Sequence, residues 1–115
     1  MKFINSFKYA FAGIRHCLRY GRSFKIHVAA AVAVMGVAAY FKASAVSMAL
    51  LLIAIALVLA AEMFNTAIEK AVDVATAERH PLAKTAKDVA AGAVLVTAVF
   101  AVLIGILVII MEVNV

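Results

Sequence analysis

The 115 residues suffice for one domain. Of these, 68% are hydrophobic, and the mean hydropathy is +1.12. Soluble domains hold about 45–50% apolar residues, and so short a chain has too little interior to bury the excess, which excludes an ordinary soluble fold and makes a bilayer the solvent. The net charge of +5 comes from 11 Lys and Arg against 6 Asp and Glu. These cations flank apolar runs and form no nucleic-acid-binding motif, so they point to a membrane surface and not to nucleic acid.

In chain order, residues 3–18 carry Phe3, Phe7, Phe11, Ile14 and Leu18 at helical spacing, with Lys8, Arg15 and Arg19 turned away from them. The pattern predicts an amphipathic helix lying on the membrane, its rings in the interface and its cations at anionic headgroups. Gly21 is expected to end it. Cys17 is the one cysteine, so no intrachain disulfide forms, and it reads as a small apolar filler.

Residues 26–41, 43–61 and 89–111 are three apolar runs near the ~20 residues needed to cross the hydrocarbon core. Backbone inside lipid must satisfy its own hydrogen bonds, so the runs are expected to be helices. Alanine is abundant along them and permits close packing. Lys2, Lys8, Arg15, Arg19, Arg22 and Lys25 precede the first run, and only Lys42 lies between the first two. Lys70, Arg79, Lys84 and Lys87 lie between the second and third, and no basic residue follows the third. The positive-inside rule therefore places the N-terminus in the cytoplasm and the C-terminus outside. Ala43-Ser44-Ala45 offers a cleavage-like pattern, but the charged leader is too long and the apolar stretch too extended for a signal peptide. The expected fold is all-α and membrane-embedded: one amphipathic surface helix and three transmembrane helices, as a single domain over residues 1–115.

Five of the six acids fall between the second and third runs: Glu62, Glu69, Asp73, Glu78 and Asp88. At about 100° per residue, Glu62, Asn65, Glu69 and Asp73 share one side of a helix that continues the second run into the cytoplasm. Carboxylates at the end of a membrane helix are costly unless hydrated, paired or bound to metal. Glu62, Asn65 and Glu69 therefore read as a site for metal and proton transfer, whereas Asp73 and Glu78 alone would read as a solvated face. Pro81 is expected to open the next helix. Lys87 and Asp88 read either as a phosphate-holding pair or as an ordinary ion pair of neighbours. His16 and His27 read as capping, packing or headgroup contacts, since no metal-ligand spacing joins them. No P-loop, dinucleotide fingerprint or zinc-protease motif occurs.

The segment Glu62-Met63-Phe64-Asn65-Thr66-Ala67-Ile68-Glu69, with Asp73 after it, resembles the signature of the bacterial diacylglycerol kinase family. His80-Pro81-Leu82-Ala83-Lys84, Ala86-Lys87-Asp88 and Ala90–Leu95 extend the likeness, as do Ser6–Phe11, Gly13-Ile14 and Phe24-Lys25-Ile26-His27. It covers almost the whole chain and leans toward the Gram-positive branch, whose members often phosphorylate undecaprenol. The resemblance implies a homotrimer in the bacterial inner membrane that moves the γ-phosphate of ATP to a lipid hydroxyl with Mg²⁺. It implies Glu62 as the base, Glu69 as the metal ligand and Asn65 as a positioning group. It places Tyr9, Glu69, Glu78, Arg79, His80, Lys87 and Asp88 at the nucleotide, Asp73 beside the reacting groups and Phe24 at the lipid entrance.

One position departs from the family pattern. A second metal-binding glutamate is expected before the first span, where this chain has Gly21, and no other acid occurs in residues 1–61. An active lipid kinase for undecaprenol or diacylglycerol is the first expectation. A catalytically impaired member that binds lipid or nucleotide is the second, and an unrelated membrane scaffold the third.

Overall fold

The computed structural model describes residues 2–114, which form four helices: α1 (Phe3–Tyr20), α2 (Arg22–Tyr40), α3 (Ala45–Ala75) and α4 (Pro81–Val113). The last three are each long and apolar enough to cross a membrane. The helices outrun the apolar runs that announce them. α2 begins at Arg22 and not at Ile26, and α4 begins at Pro81, well before Val89. Hydropathy marks the part of a helix that lipid solvates, whereas backbone hydrogen bonding carries the helix on into water. With 31 residues, α3 is about 46 Å long, well beyond a hydrocarbon core of about 30 Å, so its carboxylate-bearing end projects past the apolar layer.

Local chemistry sets the boundaries. Gly21 closes α1, its N–H donating to Cys17 O at 2.8 Å, and serves α2 as N-cap. The α2–α3 turn ends as a Schellman motif: Ala43 N–H donates to Ala38 O at 2.9 Å and Lys42 N–H to Ala39 O at 3.1 Å. Lys42 takes the left-handed position there, with φ 56°, where glycine is the usual residue. Ser44 caps α3, its Oγ accepting from Ser47 N–H at 3.2 Å. His80 caps α4 through Nδ1, which accepts from Leu82 N–H at 3.1 Å, and Pro81 fills the first turn, where its missing N–H costs nothing.

α3 is the hub. It packs most extensively against α4, then against α2 and α1, and α2 and α4 each lie against α3. The buried residues of α3 are Ser47, Leu51, Ala54, Val58 and Glu62, a stripe with steps of three and four residues. Small side chains in it let the helix backbones approach. Cys17, Phe24, Ala90 and Val108 complete the interior from the other helices. Most large apolar side chains face outward instead, including Leu95, Phe100 and Ile109, each more than 60% exposed. Water would tolerate no such surface, and lipid solvates it.

Candidate active site

Glu62 is the last residue of the buried α3 stripe and is only 7% exposed. It therefore occupies a packing position, whereas Asn65 is half-buried, and Glu69 and Asp73, one and two turns further on, are exposed. The shared helical side expected for the four residues is thus graded from interior to surface.

α2 supplies the group nearest the Glu62 carboxylate. His27 Nδ1 lies 3.1 Å from Glu62 Oε1. The two are not aligned as a hydrogen bond, and Nδ1 is buried with no hydrogen-bond partner among the described residues. Of the readings that the sequence left open for His27, the packing one fits this placement, and the nearness of Glu62 adds to it. One turn further along α3, Asn65 Nδ2 donates to Glu69 Oε1 at 3.1 Å, which leaves Asn65 Oδ1 buried and without a partner among the described residues. Thr66 Oγ donates to the Glu62 backbone carbonyl at 3.1 Å and steadies the turn that carries both residues.

Glu62, Asn65, Thr66 and Glu69 open on a cleft of about 440 Å³ between α1, α2, α3 and α4, lined also by Phe24, Gly21 and Lys70 among others, whereas His27 is not among its lining residues. Phe24 is 6% exposed and forms part of the wall. Gly21 lines the same cleft as Glu62 and Glu69.

The remaining sequence-derived candidates lie elsewhere. Lys87 does not pair with its neighbour Asp88: successive helix residues point about 100° apart. Lys87 Nζ instead donates to Asp73 Oδ1 on α3 at 2.6 Å, and Lys84 Nζ donates to Asp88 Oδ2, one turn away, at 2.6 Å. Both lysines precede the apolar run that starts at Val89. Each ammonium is held above its ordinary value, chiefly by its hydrogen bond to the carboxylate. Glu78, Arg79 and His80 form the exposed α3–α4 loop, with Glu78 N–H donating to Thr76 Oγ at 3.1 Å. Tyr9, on α1, is 58% exposed and outside the cleft lining.

The cleft thus holds a buried carboxylate, Glu62, an exposed one, Glu69, and the Asn65 amide between them, the kinds of groups that can accept a proton and pair with a cation. The family described as prokaryotic diacylglycerol kinase matches residues 8–109. The chain belongs to that family of lipid kinases. It is 43% identical over 101 residues to a diacylglycerol kinase of Synechocystis, covering 87% of this chain and 58% of that protein. It is 42% identical over 107 residues to the undecaprenol kinase of Bacillus subtilis, covering 93% and 87%. A diacylglycerol kinase of Pseudomonas aeruginosa is 35% identical over 92 residues, covering 80% and 75%.

The magnesium that such a kinase implies finds suitable donors. Glu69 offers a carboxylate, and the unpartnered Asn65 Oδ1 is a hard amide oxygen beside it. Mg²⁺ is commonly held by one or two protein oxygens, with substrate phosphates and waters completing the shell. No group of three or more His, Cys, Asp or Glu side chains placed to hold a metal occurs among the described residues.

Proposed function

We propose that this protein is an ATP-dependent lipid kinase, a single membrane-embedded domain that phosphorylates the hydroxyl of undecaprenol or diacylglycerol at the cytoplasmic face of a bacterial inner membrane. The observation that carries the proposal is the burial of the Glu62 carboxylate at the end of the α3 stripe, facing a cleft shared with Asn65 and Glu69. A charge is placed at a packing position at a cost, and a proton-accepting role accounts for it. In the reaction Glu62 takes the acceptor's hydroxyl proton, the hydroxyl oxygen bonds to the γ-phosphorus and the bond from phosphorus to the ADP oxygen breaks. Asn65 positions the reacting groups, and Asp73 supports them through its hold on Lys87. Magnesium, held by Glu69, offsets the phosphate charge when bound. Transfer of this kind depends mainly on alignment and charge neutralisation, which fixed side chains supply.

The nucleotide lies on the water side, with Glu69, Tyr9, Glu78, Arg79, His80, Lys87 and Asp88 around it. Phe24 lines the entrance for the lipid. α1 rests on the membrane surface through Phe3, Phe7 and Phe11, each more than half exposed. The cytoplasmic N-terminus and external C-terminus follow from the basic residues, and a homotrimer shelters part of the exposed apolar surface. Undecaprenol is favoured over diacylglycerol because the Bacillus undecaprenol kinase is similar over 93% of this chain and 87% of its own length. Supplying both lipids to purified protein with Mg-ATP tests this. Faster labelling of undecaprenol supports the assignment, and labelling of diacylglycerol alone reverses it.

A second reading has its own observation. Gly21 faces the cleft where the family pattern expects a second metal-binding glutamate, and the acids there are Glu62 and Glu69. On this reading the protein is an impaired member that retains lipid or nucleotide binding. Tight Mg-ATP binding without turnover on either lipid distinguishes it.

A further inference from the structure

His27 stands where two differently solvated spaces meet. One is the polar cleft that holds Glu62, Asn65 and Glu69. The other is an apolar groove of about 280 Å³ between α2, α3 and α4, lined by Ala31, Val34, Leu51, Ala54 and Val58 among others. His27 is the only polar side chain among that groove's lining residues, and its Nδ1 lies 3.1 Å from Oε1 of Glu62, which lines the cleft.

The imidazole edge turned to Glu62 is not satisfied. Nδ1 is buried, lacks a hydrogen-bond partner among the described residues, and sits beside a carboxylate oxygen with which it is misaligned. A buried polar atom left unpaired costs free energy that a bound group recovers by pairing with it. A hydroxyl oxygen placed against both atoms would accept from Nδ1–H and donate to Glu62 Oε1. Those are the two bonds that a hydroxyl needs before it loses its proton to a base.

We propose that His27 anchors the hydroxyl of the lipid acceptor beside Glu62, so that Nδ1–H holds the oxygen while Glu62 takes the proton. The inference rests on the reading of Glu62 as the base and extends it by naming the group that holds the acceptor. Nδ1–H donates to the hydroxyl oxygen throughout and does not transfer its proton. The developing negative charge on that oxygen strengthens this bond as the proton leaves, so His27 contributes more to the transition state than to binding.

The test compares His27→Leu, His27→Asn, His27→Gln and Glu62→Gln with the wild type, using purified protein in mixed micelles of undecaprenol or diacylglycerol with Mg-ATP. Asn places an amide N–H near the position of Nδ1, and Leu fills the space without a donor. Gln carries its donor further out, near the position of the other ring nitrogen. The expected result is a loss of kcat of about tenfold or more in His27→Leu, with the KM for Mg-ATP unchanged and partial recovery in His27→Asn. If the Leu variant does not fold, the comparison of Asn with Gln decides, with Asn the more active. Wild-type kcat in His27→Leu, or equal activity of Asn and Gln, overturns the anchor. Turnover surviving in Glu62→Gln overturns instead the reading of Glu62 as the base. Loss in Glu62→Gln with no effect in any His27 variant leaves that reading standing and removes His27 from it.

Discussion

Lys87 Nζ on α4 meets Asp73 Oδ1 on α3 at 2.6 Å, tying the two longest helices together beyond their apolar runs. Both partners are substantially solvated, and ion pairs in such positions contribute little to stability. On the proposal that Lys87 meets the nucleotide, the value of the pair lies in holding that ammonium in place beyond the apolar runs. Lys87→Met is therefore expected to leave the thermal midpoint unchanged and to raise the KM for Mg-ATP by about three- to tenfold. Thermal unfolding and nucleotide titration of the same preparation check both halves.

Gly21 stands at a steric limit. A Cβ there would lie 2.6 Å from the Cys17 carbonyl oxygen, which already accepts the Gly21 N–H, and 3.1 Å from Phe24 Cβ. The α1–α2 junction must shift to admit any side chain. Gly21→Ala is expected to cost about 1–3 kcal/mol, read as a lower thermal midpoint. Gly21→Glu carries the same cost along with a new carboxylate at the cleft, so its activity must be compared with that of Gly21→Ala. Higher turnover in Glu than in Ala shows that the added carboxylate serves the metal, whereas equal turnover shows that the site works without it.

At the other end of α3, Ser44 N–H donates to Glu112 Oε1 at 2.8 Å, so a residue at the end of α4 caps the start of α3. The positive end of the α3 dipole favours the carboxylate there. Glu112→Ala is expected to lower the thermal midpoint while leaving kcat and both KM values at wild-type levels, because the contact lies at the opposite end of the bundle from the cleft. Unfolding and turnover measured side by side distinguish this from a general loosening of the fold.

Much of this arrangement was legible in the sequence. The three apolar runs announced the three long helices, Gly21 the end of α1, and Pro81 the start of α4. The likeness around Glu62, Asn65 and Glu69 pointed to the family. Less visible was the packing stripe Ser47, Leu51, Ala54, Val58 and Glu62, because an all-apolar helix gives no contrast between faces. That stripe distinguishes Glu62, buried, from Glu69, exposed. The approach of His27 to Glu62 depends on how α2 lies against α3, which local periodicity does not encode. The ordinary ion pair that the adjacency of Lys87 and Asp88 suggested does not form. The spacing of four between Lys84 and Asp88 was available in the sequence as a helical ion pair, whereas the Asp73–Lys87 pair required the α3–α4 turn to be folded.

The most direct test of the account is the rate of Mg-ATP-dependent phosphate transfer to undecaprenol and diacylglycerol by wild-type protein and Glu62→Gln, both verified as folded and lipid-embedded. Turnover is expected in the wild type, with a loss of about 100-fold or more in the variant, the effect of removing a general base. Comparable turnover in the two proteins would contradict it.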